Sequence, residues 1–264
     1  MIEAIITGII QGIAEWLPVS SEGVLVLVKV NFFGASSLSI ILKEVLFLHL
    51  GTFLAALVYF RKDVVDLIKT IFNYKTANIE TQKTFKFLII ATIISGLLGL
   101  VFLKLLTGLE AQLNVTGKFI TLAVGGLLLI TGYLQIRAKR QKGSRKISDI
   151  KNTDSVLLGV TQGFSALPGL SRSGLTVSAL LLKKFDDISA LKLSFLMSLP
   201  IVLVGNIILN WNKFILTGQS LVGLIFSFIF GIITIDLLLR LAKKVNFGWF
   251  VFIFGLLTIL AIMI

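Results

Sequence analysis

The 264-residue sequence predicts an all-α, polytopic membrane protein: six transmembrane helices and two re-entrant helical hairpins, arranged as an inverted-topology repeat within one membrane domain, 1–264. Three observations predict it. The chain is 56% hydrophobic and only 14% charged, with a mean hydropathy of +0.99, more apolar surface than a soluble protein of this length can hide. Its Lys and Arg gather between the apolar runs. One pattern of broken helix occurs twice. A β-barrel is a poor alternative, because the apolar runs are continuous rather than alternating.

The two copies are Gly8 to Gly23 (GIIQGIAEWLPVSSEG) and Gly159 to Gly174 (GVTQGFSALPGLSRSG), which align with a single-residue gap. Each has Gly-x-x-Gln-Gly, an apolar run, a Pro (Pro18 or Pro168), a Ser-rich turn and a closing Gly. Each is read as a hairpin, over about 1–35 and 153–184. Polar groups at such depth are costly and mark a working site. Irregular backbone there must be buried by protein or line a cavity. The alternative is an ordinary Pro-kinked span at each place, giving eight crossings.

The six spans are expected at 40–60, 86–106, 118–137, 190–211, 219–239 and 246–264, each near the ~20 residues that a helix needs to cross. The repeat halves are then about 1–106 and 153–239. Basic residues fill 61–86 (Arg61, Lys62, Lys69, Lys75, Lys83, Lys86) and 137–151 (Arg137, Lys139, Arg140, Lys142, Arg145, Lys146, Lys151). Lys183, Lys184 and Lys192 follow the second hairpin, and Arg240, Lys243 and Lys244 separate the last two spans. Clusters of this kind mark cytoplasmic loops. Placing all of them inside puts the hairpins in opposite orientation and both termini outside. The net charge of +12 is therefore topological and implies no nucleic acid. With no Cys, thiolate and disulfide chemistry are excluded. The start of the chain, with Glu3 and no basic leader, does not read as a cleaved signal peptide.

Within the first hairpin Gln11 and Glu15 are four apart and share a helical face. Ser20 and Ser21 stand at the start of the next helix, good capping positions whose free N–H groups favour a phosphate. In the second, Pro168-Gly169 makes the turn and Ser171 caps. Arg172 and Ser173 occupy the first turn beyond, and the Arg fork suits phosphate oxygens. Converging, the hairpins would enclose a phosphorylated ligand. A diphosphate with about three negative charges exceeds what Arg172 and two helix ends of ~0.5 charge each can neutralise. A divalent cation, Mg²⁺ or Ca²⁺, on Glu15, Gln11 and phosphate oxygens would restore balance. A protonated Glu15 is the metal-free option.

These residues resemble the undecaprenyl-diphosphate phosphatase family, the BacA-type bacitracin-resistance proteins. The likeness rests on Gln11, Glu15, Pro18, Ser20 and Ser21, and on the run Pro168-Gly169-Leu170-Ser171-Arg172-Ser173-Gly174-Leu175-Thr176. It extends over essentially the whole chain. The resemblance implies a divalent-cation-dependent hydrolase of the cell membrane. Its site would face outward and convert a polyprenyl diphosphate to the monophosphate carrier used for peptidoglycan and other surface glycans. The leading mechanism makes Ser21 the nucleophile, with Arg172 and the metal on the equatorial oxygens and Glu15 on the metal; attack by a metal-activated water with no covalent intermediate is the alternative. Ser20, Ser171, Ser173, Thr176 and Gly169 fall to substrate binding. The family's His after Ser-Ser-x-Gly is Val24 here. The lone His49 stands where the family tends to have Gln, and is the candidate proton relay. The expected partners are the lipid substrate and membrane lipid, with a homodimer left open. A transporter of polyprenyl phosphate or an anion is the rival reading, since broken inverted repeats recur among transporters.

Overall fold

The computed structural model describes residues 1–17, 19–34, 37–113, 117–139, 143–210, 217–244 and 247–260. Pro18, Arg140 and Lys142 lie outside them, as do the side chains of Lys139, Arg240, Lys243 and Lys244. The described residues form α1 (Ile2–Ala14), α2 (Ser21–Phe32), α3 (Leu38–Tyr59), α4 (Arg61–Phe72), α5 (Ile79–Leu113), α6 (Gly117–Lys139), α7 (Asn152–Gly163), α8 (Arg172–Leu182), α9 (Asp187–Asn210), α10 (Gly218–Lys244) and α11 (Phe247–Leu260). The chain is an all-α multi-pass membrane protein. Among the described residues α3, α5, α6, α9 and α10 are long and apolar enough to cross. The sixth expected span, 246–264, is described over the 14 residues of α11; residues 261–264 lie outside the description.

Both repeated segments are broken helices, as expected. α1 and α2 pack against each other, and so do α7 and α8. Each arm is 11 to 13 residues. At 1.5 Å per residue it reaches about 20 Å, short of a ~30 Å hydrocarbon core. Contacts pair off between the halves: α1 packs on α10 as α7 packs on α5, and α3 on α10 as α9 on α5. α3 and α9 meet at the centre, and α6 and α11 pack on each other.

The Gly-x-x-Gln-Gly opening explains the closeness of these arms. A Cβ on Gly12 would stand 2.7 Å from Phe230 Cβ, and one on Gly159 would stand 2.8 Å from Ile94 Cβ. Small residues four apart let helix backbones approach where lipid gives no hydrophobic drive for association. Two apolar clusters flank the hairpin tips. One holds Trp16, Phe60, Phe87, Phe185 and Phe195, and the other Leu25, Val26, Ile41, Val45 and Val124. Trp16 donates its indole N–H to the Gly231 carbonyl at 2.9 Å and meets Phe195 edge-on at 5.3 Å, which fixes the residue next to Glu15.

Candidate active site

The breaks of the two hairpins face each other. Ser20 is the N-cap of α2, accepting from the Gly23 N–H at 3.0 Å, and Ser171 caps α8 through the Gly174 N–H at the same distance. Both caps follow the helix-start chemistry of Ser three residues ahead of the orphan N–H. The hairpins are also stitched together. Gly169 N–H donates to Ser20 Oγ (3.1 Å), and Ser173 Oγ donates to the Leu17 carbonyl (3.0 Å). Gly169 has φ +105, a conformation that L side chains rarely adopt, and its carbonyl accepts from Thr131 Oγ1 at 3.2 Å.

Between the tips lies a pocket of about 30 Å³ lined by Glu15, Ser20, Ser21, Glu22, His49 and Arg172, among others. Glu15 is its hub, 6% exposed. Its Oε1 is ion-paired with Arg172. Its Oε2 accepts from Gln11 Nε2 (2.9 Å) and Ser21 Oγ (3.0 Å) and faces His49 Nε2 at 3.2 Å. His49 Nδ1 is 2.7 Å from the Val45 carbonyl, so that nitrogen must carry a proton. Nε2 is then the ring nitrogen turned to the carboxylate. Arg172 also donates through Nη1 to the Ser194 carbonyl at 3.2 Å. In apolar surroundings such a fully paired cluster is viable where a lone charge would not be.

The pocket adjoins a wider cavity of about 430 Å³, which shares Glu22, His49, Ser165 and Arg172 with it. Its walls are mostly apolar, with Leu46 and Leu100 among them, and it runs to Lys43 and Lys104, at the end where α3 begins and α5 finishes.

The sequence-predicted residues thus divide. Glu15, Ser20, Ser21, Ser171, Arg172, Ser173 and His49 line one pocket. Gly169 and Thr176 are not among the residues lining either cavity. Thr176 spends its hydroxyl on the Arg172 carbonyl (2.8 Å) and Ser194 Oγ (2.7 Å), and Gly169 joins the tips; both shape the site rather than face a ligand. Ser173 donates to Leu17, and its Oγ lies 3.3 Å from that of Ser171, so these two hydroxyls are largely engaged by protein. Ser20 Oγ accepts two N–H bonds, leaving its own proton for the pocket.

Gln11 lies behind Glu15, fully buried and outside the pocket. Both oxygens of Glu15 are taken. Gln11 Oε1 is buried with no hydrogen-bond partner, an oxygen left for a cation beside Glu15, while no group of three His, Asp or Glu suited to a metal occurs among the described residues. The residue that sequence reading left without a role is Glu22. It lines both cavities. Its position one residue after Ser21, in the same first turn, was the available signal.

The chain matches a family model described as Bacitracin resistance protein BacA over residues 4–260. It is 45% identical over 262 residues to an undecaprenyl-diphosphatase of Methanococcoides burtonii, covering 98% of this chain and 97% of the relative. It is 40% identical to the undecaprenyl-diphosphatase of Haloarcula marismortui, covering 96% and 93%, and 36% identical to that of Methanothrix thermoacetophila, covering 98% and 95%.

Proposed function

We infer that this chain, which belongs to the bacitracin resistance protein BacA family, is an undecaprenyl-diphosphatase, a membrane hydrolase that converts undecaprenyl diphosphate to the monophosphate lipid carrier and phosphate. The observation that carries the site is the convergence of Ser21, Glu15 and Arg172 from opposite hairpins on one pocket.

Ser21 Oγ attacks the terminal phosphorus and passes its proton toward Glu15 Oε2, the group it already donates to. The bond from phosphorus to the bridging oxygen breaks, and the polyprenyl monophosphate leaves. Water then opens the phosphoserine, releasing phosphate and restoring the hydroxyl. Arg172, His49, the Ser20 hydroxyl and the first N–H groups of α2 and α8 face the charge that builds on the phosphoryl oxygens. Such preorganised donors supply most of the catalysis in phosphoryl transfer. The small pocket is water-sized. A phosphoryl group therefore enters from the wider cavity as the guanidinium exchanges Glu15 for phosphate oxygens. The prenyl tail lies along the apolar walls of that cavity.

Arg172 faces two carboxylates, Glu15 and Glu22, across the pocket. A diphosphate of about three negative charges then calls for a cation. Mg²⁺ or Ca²⁺ would be held by oxygen donors here, the unpartnered Gln11 Oε1 and the carboxylates of Glu15 and Glu22. Such an ion supplies further neutralisation of phosphate charge. The wide cavity ends away from the basic segments around 61–86, which supports a mouth on the extracytoplasmic side and both termini outside.

The test is phosphate release by purified protein from long and short prenyl diphosphates, with and without chelator, together with an acid-quench search for phosphoserine on Ser21. Release without any trapped phosphoserine, from a Ser21→Ala protein that stays active, would remove the covalent step. No release at all would remove the hydrolase reading.

A further inference from the structure

Helix α4 has three kinds of side. It begins one residue after α3 ends, with Phe60 serving as the cap of both. At about 100° per residue, Val64, Leu67 and Thr70 fall on one side of the helix. Thr70 is buried, and Val64 and Leu67 pack against the apolar cluster around Phe60. Asp63 tethers the same side to Lys192 of α9 at 2.6 Å. A second side carries Val65, Ile68 and Phe72, which are 46%, 51% and 80% exposed, with Arg61 at its first turn, and Ile71, 59% exposed, falls beside Val64. A third carries Lys62, Asp66 and Lys69, all exposed.

A helix afloat in water would not present three large apolar groups on one stripe while a different stripe already packs on protein. The spans on either side of α4 in the chain expose apolar residues as well. Leu54 and Val58 of α3 and Ile89 and Ile93 of α5 are likewise exposed on membrane-crossing helices, and α4 lies in the chain between those two spans. An amphipathic helix with Lys bordering its apolar stripe is the form that lies in the plane of a bilayer surface, with Lys stems reaching outward to phosphate level.

We propose that α4 lies sideways in the leaflet at which α3 ends, with Val65, Ile68 and Phe72 among the acyl chains and Lys62 and Lys69 at the level of the lipid phosphates. The occupant of the stripe is the headgroup–acyl boundary of the bilayer. Phe60 at the α3–α4 elbow stacks on Phe195 at 6.5 Å, and Phe195 meets Trp16 beside Glu15. Seating α4 in lipid therefore steadies the packing behind the catalytic hairpin.

The chain has no native Cys, so single labels can be placed without background. Nitroxides on V65C, I68C, F72C, K62C, D66C and K69C would be read in liposomes of the full protein, each checked for retained phosphate release. Labels at 65, 68 and 72 should be relaxed more by oxygen than by a water-soluble nickel complex, and those at 62, 66 and 69 more by nickel. Nickel access at all six sites would place α4 in water and overturn the proposal. Shielding of 65, 68 and 72 from both reagents would give the stripe to a protein partner, such as a second copy, and overturn it equally. Should labelling spoil folding, Ile68→Trp offers a second reading: its added fluorescence should be quenched by lipids brominated along the acyl chain. Unquenched emission contradicts the assignment.

Discussion

Hairpin α1–α2 and hairpin α7–α8 share a scaffold. Each opens with Gly-x-x-Gln-Gly packed closely on a long span of the opposite half, and each restarts at a Ser that caps the N–H three residues on. Each is also held by ion pairs away from its tip: Lys29 with Glu3 and Glu44 in the first, Asp154 with Arg145 in the second. They differ in charge at the tip. Four residues after its Gln the first has Glu15, and the second has Ala166. One residue after its cap the first has Ser21, and the second has Arg172. One copy therefore carries the proposed nucleophile and two carboxylates, and the other carries the guanidinium. The two hairpins thus present different chemistry at matched places on a shared scaffold.

Four changes would break or sharpen this comparison. Arg172→Ala should cost the most, about 10³-fold or more in kcat/KM, because it removes the positive group nearest the phosphoryl oxygens; Arg172→Lys should recover little of it, lacking the fork. Activity within tenfold of the parent would dissolve the division of labour. Next, Ser21→Ala should lower kcat by about 10²-fold or more. Its counterpart in chemistry but not in position, Ser171→Ala, should instead cost about 1 kcal/mol of stability through the lost cap, with kcat largely kept. Equal kinetic losses in both, without a stability change in Ser171→Ala, would contradict the separation of nucleophile from scaffold. Third, Gly12→Ala and Gly163→Ala should each destabilise by about 1–3 kcal/mol, because the added methyl meets Phe230 or Leu98. Thermal unfolding in detergent would measure it, and one tolerant site would show that the arms are not equivalently packed.

The smallest effect concerns acid. Burial alone would raise the pKa of Asp154, but hydrogen bonds from Arg145 and from the Lys151 N–H, with the charges of Arg145 and Lys183, hold it below the ordinary carboxylate value. A lowered folded-state pKa adds stability that is complete above the unfolded value, near about 4, and is lost as pH falls through the folded one. Unfolding profiles of the parent should therefore steepen below that point, and Asp154→Asn should flatten that part of the profile. A profile unchanged by Asp154→Asn would show that the second hairpin does not depend on this pair.

Much of the site was legible because local chemistry set it. The Gly-x-x-Gln-Gly arms, the caps at Ser20 and Ser171, and the pairing of Gln11 with Glu15 depend on neighbours within four residues. Missed or misassigned residues depend on partners far along the chain. Thr176 reads as a ligand until Ser194 takes its hydroxyl. Gly169 reads as a phosphate contact until Thr131 and Ser20 hold it. His49 stands between the Val45 carbonyl and Glu15, close to one in sequence and far from the other. Glu22, which lines both cavities, was passed over.

By itself the sequence determined that this chain crosses a membrane, that two broken helices repeat, and which polar groups must share a buried place. Apolar run length, helix-start chemistry and the cost of charge in lipid fix those points without reference to the rest of the molecule. The tertiary structure alone decided which oxygens and nitrogens face the pocket and which are spent on protein. A polar group in a dry interior must find a partner, and which partner is in reach depends on how spans far apart in sequence pack side by side.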